Sequence, residues 1–260
     1  MRLRELLNYQ LLQEGGNVFK NTDGTPLTVR INKADVPATV KWLEKITKLD
    51  LTGKTVDKNG VPLHWLGSTG RQPTSGDVDL VVLSSDISKE ELAARLAAWA
   101  KSAGIPEDNI FNKGKDKNNG WIKIAGEVHF RTPIAGNPAN GFVQTDFNFY
   151  ANPKLRDWGT FYQGGSSAGF KGMHRNVLLS SLAKFHGYKL GLNGMIDRET
   201  NQTVSLDPNA VAKIVLSKTA DKNDLASVEN IFKALAKDPQ RDAKLADFVE
   251  FARKEGLKLP

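Results

Sequence analysis

The chain has 260 residues, 40% hydrophobic and 25% charged, with no cysteine and a formal charge of +7. This is globular composition, long enough for one sizeable domain or two lobes, and it excludes a disulfide scaffold, a thiolate metal centre and a low-complexity chain. No apolar run approaches the roughly 20 residues of a membrane span, no membrane partner is expected, and the cysteine-free chain fits a reducing, cytoplasmic setting.

Taken in order, "RLRELLNYQLLQ" places Leu3, Leu7 and Leu11 at helical spacing, and Asp23-Gly24 marks a turn between two extended pieces. A helix is predicted to open near Pro37, since a proline suits a first-turn position. "VPLHWLG", residues 61–67, reads as a short apolar strand, and "VDLVVL", residues 78–83, as the next. Ser88 and Glu91 form a capping box for a helix whose buried stripe is Leu92, Leu96 and Trp99, ended by Gly104. "GWIKIAGEVHFR" and "GFVQTDFNFYA" each read as a strand, which makes this part mixed α/β. Beyond Trp158 the pattern is mostly helical, over residues 173–187, 225–238 and 243–256. The division expected is an N-terminal segment over 1–60, an α/β lobe over 61–155 and a helical lobe over 156–260.

The chemistry sits at "LGSTGRQPTSGDVDLVVL", where Asp77 and Asp79 are two apart at the start of an apolar strand. Strand geometry turns both to one face while Val78 and Leu80 enter the core. Two carboxylates held that close repel unless a cation lies between them, and oxygen ligands suit Mg²⁺ or Mn²⁺. A third carboxylate, Asp146, shares a polar strand face with Gln144 and Asn148, opposite Val143, Thr145, Phe147 and Phe149. Gly67-Ser68, read as a strand-to-helix turn, offers backbone N–H groups and a hydroxyl to a phosphate, with Arg71 one turn beyond. Three carboxylates beside a phosphate cradle are the parts of two-metal phosphoryl transfer.

Other features read as ordinary structure. "GGSSAGFKG", residues 164–172, has Phe170 where a phosphate-binding loop needs lysine, and so reads as a turn. His64, His129, His174 and His186 lack helical ligand spacing, which argues against zinc. Lys113, Lys115 and Lys117 read as a solvated loop, and Trp121 and Trp158 as core.

"GSTGRQPTSGDVDLVVL" resembles the signature of the DNA polymerase β-like nucleotidyltransferase superfamily, and more narrowly the X family of DNA polymerases, through Arg71, Ser75 and Gly76. "TFYQGGSS", "LAKFHGYKLGLNGM" and "SVENIFKALA" resemble later segments of that family in the same order, so the likeness spans about residues 60–240. Gln144 stands where the family usually carries arginine. The resemblance implies a nucleotidyltransferase palm with a mixed sheet, followed by a mostly helical thumb lobe. It implies two Mg²⁺ (or Mn²⁺) ions on Asp77, Asp79 and Asp146, which are also the catalytic residues. It further implies a (d)NTP held by Gly67, Ser68, Arg71, Ser75, Gly76, Phe161 and Tyr162, and a nucleic-acid primer end as acceptor; Lys171 and Arg175, cations at the start of a helix, are read from their position as further contacts to primer or triphosphate, against plain surface charge. Two alternatives stay open: a nucleotidyltransferase acting on tRNA, protein or a small molecule, and a non-catalytic nucleic-acid-binding module.

Overall fold

The computed structural model describes residues 18–57, 59–112, 119–163 and 169–260. The readings made for Leu3, Leu7 and Leu11, for the 113–117 lysines and for the turn at 164–168 lie outside these residues. The chain divides into one unit that runs to Pro153 and a second from Lys154 to Pro260.

The first unit is built on a four-stranded mixed sheet in the order β3-β6-β5-β4. Its strands are β3 (Asp77–Leu83), β4 (Ile122–Ile124), β5 (Val128–Pro133) and β6 (Phe142–Tyr150). β3 and β6 run parallel, while β6–β5 and β5–β4 are antiparallel. The period of two in these strands separates an apolar face from a polar one. Val78, Leu80 and Val82 of β3, Val143 and Phe147 of β6, and Val128 and Phe130 of β5 join one buried cluster with helices α1 (Val36–Thr47) and α2 (Lys89–Ser102).

Aromatic rings fill that layer. Trp42 meets Trp99 edge-on at 5.0 Å, and Trp99 meets Phe130 edge-on at 5.5 Å between centroids. Such pairs add about 0.5–1.5 kcal/mol each beyond the area they bury. Proline stands in the first turn of α1, and Ser88 caps α2 by accepting the Glu91 N–H at 3.1 Å, as the sequence suggests. The N-terminal stretch shares this core through Ile31, Val36, Val40 and Leu43, and β1 (Ile31–Asn32) pairs with β2 (Thr74–Ser75) just ahead of the aspartates.

Two readings are corrected here. "GWIKIAGEVHFR" is a hairpin of β4 and β5 rather than one strand, because Ala125–Glu127 reverse the chain. Residues 61–67 form turns along the open edge of β3, with isolated antiparallel bridges from Pro62 to Val56 and from Trp65 to Leu80. Leu66 N–H donates to the Asp79 carbonyl and Val81 N–H to that of His64, both at 2.9 Å. Gly67 and Gly70 adopt left-handed φ there, so the stretch turns away instead of extending.

The second unit begins with α3 (Pro153–Gln163) and α4 (Gly172–Phe185), and continues through a three-stranded antiparallel sheet. That sheet comprises β7 (Tyr188–Gly191), β8 (Gly194–Asp197) and β9 (Thr203–Ser205). Helices α5 (Pro208–Val215), α6 (Val228–Ala234) and α7 (Arg241–Lys254) follow. The mostly helical expectation for this half holds, with the small sheet of β7–β9 added to it. Trp158 is fully buried with Leu178, Leu182, Met195, Ile231 and Phe248, and its indole N–H donates to the Gly191 carbonyl at 2.7 Å. The architecture is mixed α/β throughout. Among the described residues, no helix is long and apolar enough to cross a membrane.

Candidate active site

The polar face of the first unit's sheet gathers the three aspartates. Parallel pairing sets Asp79 directly beside Asp146 and Asp77 beside Gln144. Carboxylate oxygens of Asp77, Asp79 and Asp146 all lie within 4.8 Å of one another. Asp146 is almost wholly buried, whereas Asp77 and Asp79 are half-buried.

Each Asp146 oxygen has a neighbour: His129 Nδ1 is 2.7 Å from Oδ1, and the Gln144 amide donates to Oδ2 at 3.0 Å. Asn148 completes the row by donating its amide to the Asp146 carbonyl at 3.1 Å. Gln144 also accepts the Val18 N–H at 2.8 Å, tying the N-terminal stretch to the site face.

The electrostatics are those of too many acids in one place. Burial, and then the charge of Asp146, raises the Asp77 carboxyl from 3.8 to about 6. Burial, then Asp77 and Asp146, holds Asp79 well above the ordinary carboxylate range. Burial and Asp146 likewise raise Glu127, against the pull of His129 and Lys89. Carboxylates that repel one another and project to a common point have the donor chemistry of a hard divalent cation site, so the residues present fit Mg²⁺ or Mn²⁺.

The Gly67-Ser68 turn lies against this cluster. A Cβ on Gly67 would stand 3.2 Å from Asp79 Oδ2, and φ there is +55°, so the backbone favours glycine and any side chain would press on that carboxylate. Thr69 Oγ1 accepts the Asp79 N–H at 2.9 Å, clamping the turn to the strand. No helix follows. Residues 66–73 form consecutive hydrogen-bonded turns, so any phosphate donors come from a turn and not from a helix end. The half-buried Ser68 hydroxyl has no partner among the described residues.

Arg71 is anchored rather than loose. Its Nε donates to Asp57 at 3.0 Å and its Nη1 to the Trp65 carbonyl at 2.5 Å, while Nη2 has no partner among the described residues. Ser75 is buried on β2, and exposed Gly76 leads into Asp77.

The four other residues singled out for nucleotide contact belong to the second unit. Tyr162 is buried and stacks on Trp158 at 5.9 Å, and Phe161 is half-buried with the Arg175 guanidinium 4.6 Å from its ring centre. Lys171 is exposed at the N-terminal boundary of α4. Arg175 has no exposed surface; it donates to the carbonyls of Leu225 at 2.6 Å, Phe161 at 3.2 Å and Tyr162 at 3.1 Å. Burial lowers this guanidinium to about 10. Its donors face main-chain carbonyls, which speaks against a triphosphate role for this side chain.

Sequence reasoning missed three neighbours of the site. Arg30 is exposed, hydrogen-bonds Thr74 through Oγ1 and the carbonyl, both at 3.0 Å, and exerts its charge on Asp77. Glu127 and His129 sit two apart on the far side of Asp146, a strand-spaced pair that the helical test applied to the histidines passes over.

No protein-family model matches the chain, and no curated protein matches it. Among solved structures, it is similar to the polymerase beta of Leishmania infantum in a ternary gap complex, with 15% identity, over 81% of this chain and 68% of that one, at a TM-score of 0.38.

Proposed function

We propose that the chain is a metal-dependent nucleotidyltransferase of the polymerase β type, which transfers a nucleotide from a (d)NTP to a nucleic-acid 3′ hydroxyl with release of pyrophosphate. The observation that carries this reading is the convergence of Asp77, Asp79 and Asp146 beside a glycine turn with an uncommitted hydroxyl. Asp77, Asp79 and Asp146 would hold two Mg²⁺ or Mn²⁺ ions. Bound there, such ions lower the pKa of an attacking hydroxyl and offset the charge of the triphosphate.

The chain's own residues bind and orient. Ser68 Oγ and the backbone N–H groups of Gly67 and Ser68 donate to phosphate oxygens, the Thr69 N–H being taken by the Leu66 carbonyl. Arg71, fixed by Asp57 through Nε, offers Nη2 to the same group. Gly76 lets the chain pass close to the triphosphate ahead of Asp77. Gln144 and His129 hold the third carboxylate in one orientation from both of its oxygens, so it loses little freedom on meeting its ligands.

The test is extension of a labelled primer, alone and annealed to a template, with each dNTP and each NTP in Mg²⁺. Addition that is lost in Asp79→Asn supports the reading. Metal-dependent nucleotide binding without any extension would move it to another acceptor. Absence of both would overturn it.

A further inference from the structure

The strand order β3-β6-β5 places Asp146 between two pairs of similar build. On one side is Asp77-Val78-Asp79. On the other are Glu127, the last residue of the bend before β5, and His129 on β5, whose carboxylate and imidazole lie together with Asp146 while Val128 between them is buried in the core. The register sets His129 directly across from Asp146, as it sets Asp79 on the opposite strand.

The contact is close. Donor atoms of Glu127, His129 and Asp146 lie within 4.8 Å of one another. The half-buried Glu127 carboxylate has no hydrogen-bond partner among the described residues. Lys89, a cation near it, has its ammonium engaged by the Gly126 carbonyl. Four carboxylates therefore share this face of the sheet, and Glu127 acts electrostatically on Asp77 and Asp79 as well as on Asp146. The ligand types also differ across Asp146: only oxygens on one side, oxygens with an imidazole nitrogen on the other.

We propose that Glu127, His129 and Asp146 form a cation position of their own, which takes a first-row transition ion such as Mn²⁺ in preference to Mg²⁺, with Asp146 shared between it and the Asp77/Asp79 side. Mg²⁺ binds through oxygens and keeps its waters, whereas first-row transition ions, Mn²⁺ included, accept an imidazole nitrogen among carboxylates more readily. The proposal goes beyond the nucleotidyl-transfer reading and meets it only at Asp146.

The probe is Mn²⁺ itself. The full chain, stripped of metal and given less than one equivalent of Mn²⁺, is examined by pulsed electron paramagnetic resonance for modulation from a directly bound nitrogen. Nitrogen modulation is expected in the wild type, lost in His129→Gln and kept in Asp77→Asn. Mn²⁺ bound by oxygens alone, no bound Mn²⁺, or nitrogen modulation that survives His129→Gln would each overturn the proposal. Should His129→Gln fail to fold, Glu127→Gln serves instead: a loss of about tenfold or more in Mn²⁺ affinity is expected, and unchanged affinity would overturn the proposal.

Primer extension run in parallel separates the two readings. Extension with oxygen-bound Mn²⁺ removes this position and leaves nucleotidyl transfer standing. Nitrogen-bound Mn²⁺ in a chain that neither extends a primer nor binds nucleotide does the reverse.

Discussion

Arg175→Met should unfold the second unit far more readily than it should affect ligand binding. The substitution keeps much of the stem and removes every donor. Three main-chain carbonyls, those of Leu225, Phe161 and Tyr162, lose the guanidinium, and Phe161 loses the cation on its face. A buried polar group left unpaired costs about 1–3 kcal/mol, and a cation–ring contact of this kind is worth about 0.5–2 kcal/mol. Two of the carbonyls close one helix and can be partly re-solvated, so the working figure is a loss of about 3–6 kcal/mol. That is a large share of the about 5–15 kcal/mol that holds a domain together. Urea unfolding in metal-free, nucleotide-free buffer, followed by near-ultraviolet circular dichroism, measures it directly. Arg175→Lys should recover only part, because one ammonium cannot span three carbonyls. A variant within about 1 kcal/mol of wild type that binds nucleotide more weakly would refute the reasoning and return Arg175 to the binding site.

Other outcomes follow from the first unit. Asp146→Asn should lower turnover by about two to four orders of magnitude while the chain stays folded, measured as primer extension beside a thermal melt. Ser68→Ala should weaken nucleotide binding about 2–10-fold with no change in melting, since a single hydroxyl donor is removed. Gly67→Ala should cost about 1–2 kcal/mol, from a left-handed φ and a methyl against Asp79, and should weaken Mg²⁺ binding by titration calorimetry. Burial pushes the Asp57 carboxyl up, but the N–H groups of Val61 and Asn59 and the Arg71 guanidinium outweigh it, so it sits below 3.8 in the folded chain. Its contribution is complete above that value and is lost as pH falls through the lower folded one, so Asp57→Asn should destabilise the chain at neutral pH and not in strong acid.

Much of this was legible in the residues because it was local. Pro37 and Ser88 with Glu91 mark helix starts through chemistry confined to one turn, and the structure starts helices there. The Asp77/Asp79 pair and the polar row of β6 follow from the period of two alone, and the pairing then brings the rows together. What was missed depended on reversal and register. Alternation on either side of Ala125-Gly126 in "IKIAGEVHF" keeps the same phase, so it does not report that the chain turns back there and brings His129 to Asp146. The hairpin of β7 and β8 lies in the stretch between the predicted helices, turning at Leu192-Asn193 with Gly191 paired to Gly194, and no helical period reports it. Arg175 looked like a free cation at a helix start, because nothing in its neighbours tells that three carbonyls distant in sequence enclose it.

The parallel pairing of β3 with β6 has a consequence for how the protein is made. Parallel strands cannot be joined by a tight turn, and the crossover between these two contains a whole helix and a hairpin. Closing so long a loop is entropically costly and slow, so native neighbours such as Asp79 and Asp146 meet only after the intervening chain has found its place. Until then the acidic residues are scattered and cannot bind an ion as a group. Metal affinity is therefore a late-arriving property of this unit, and a stopped-flow metal indicator would time the completion of its sheet.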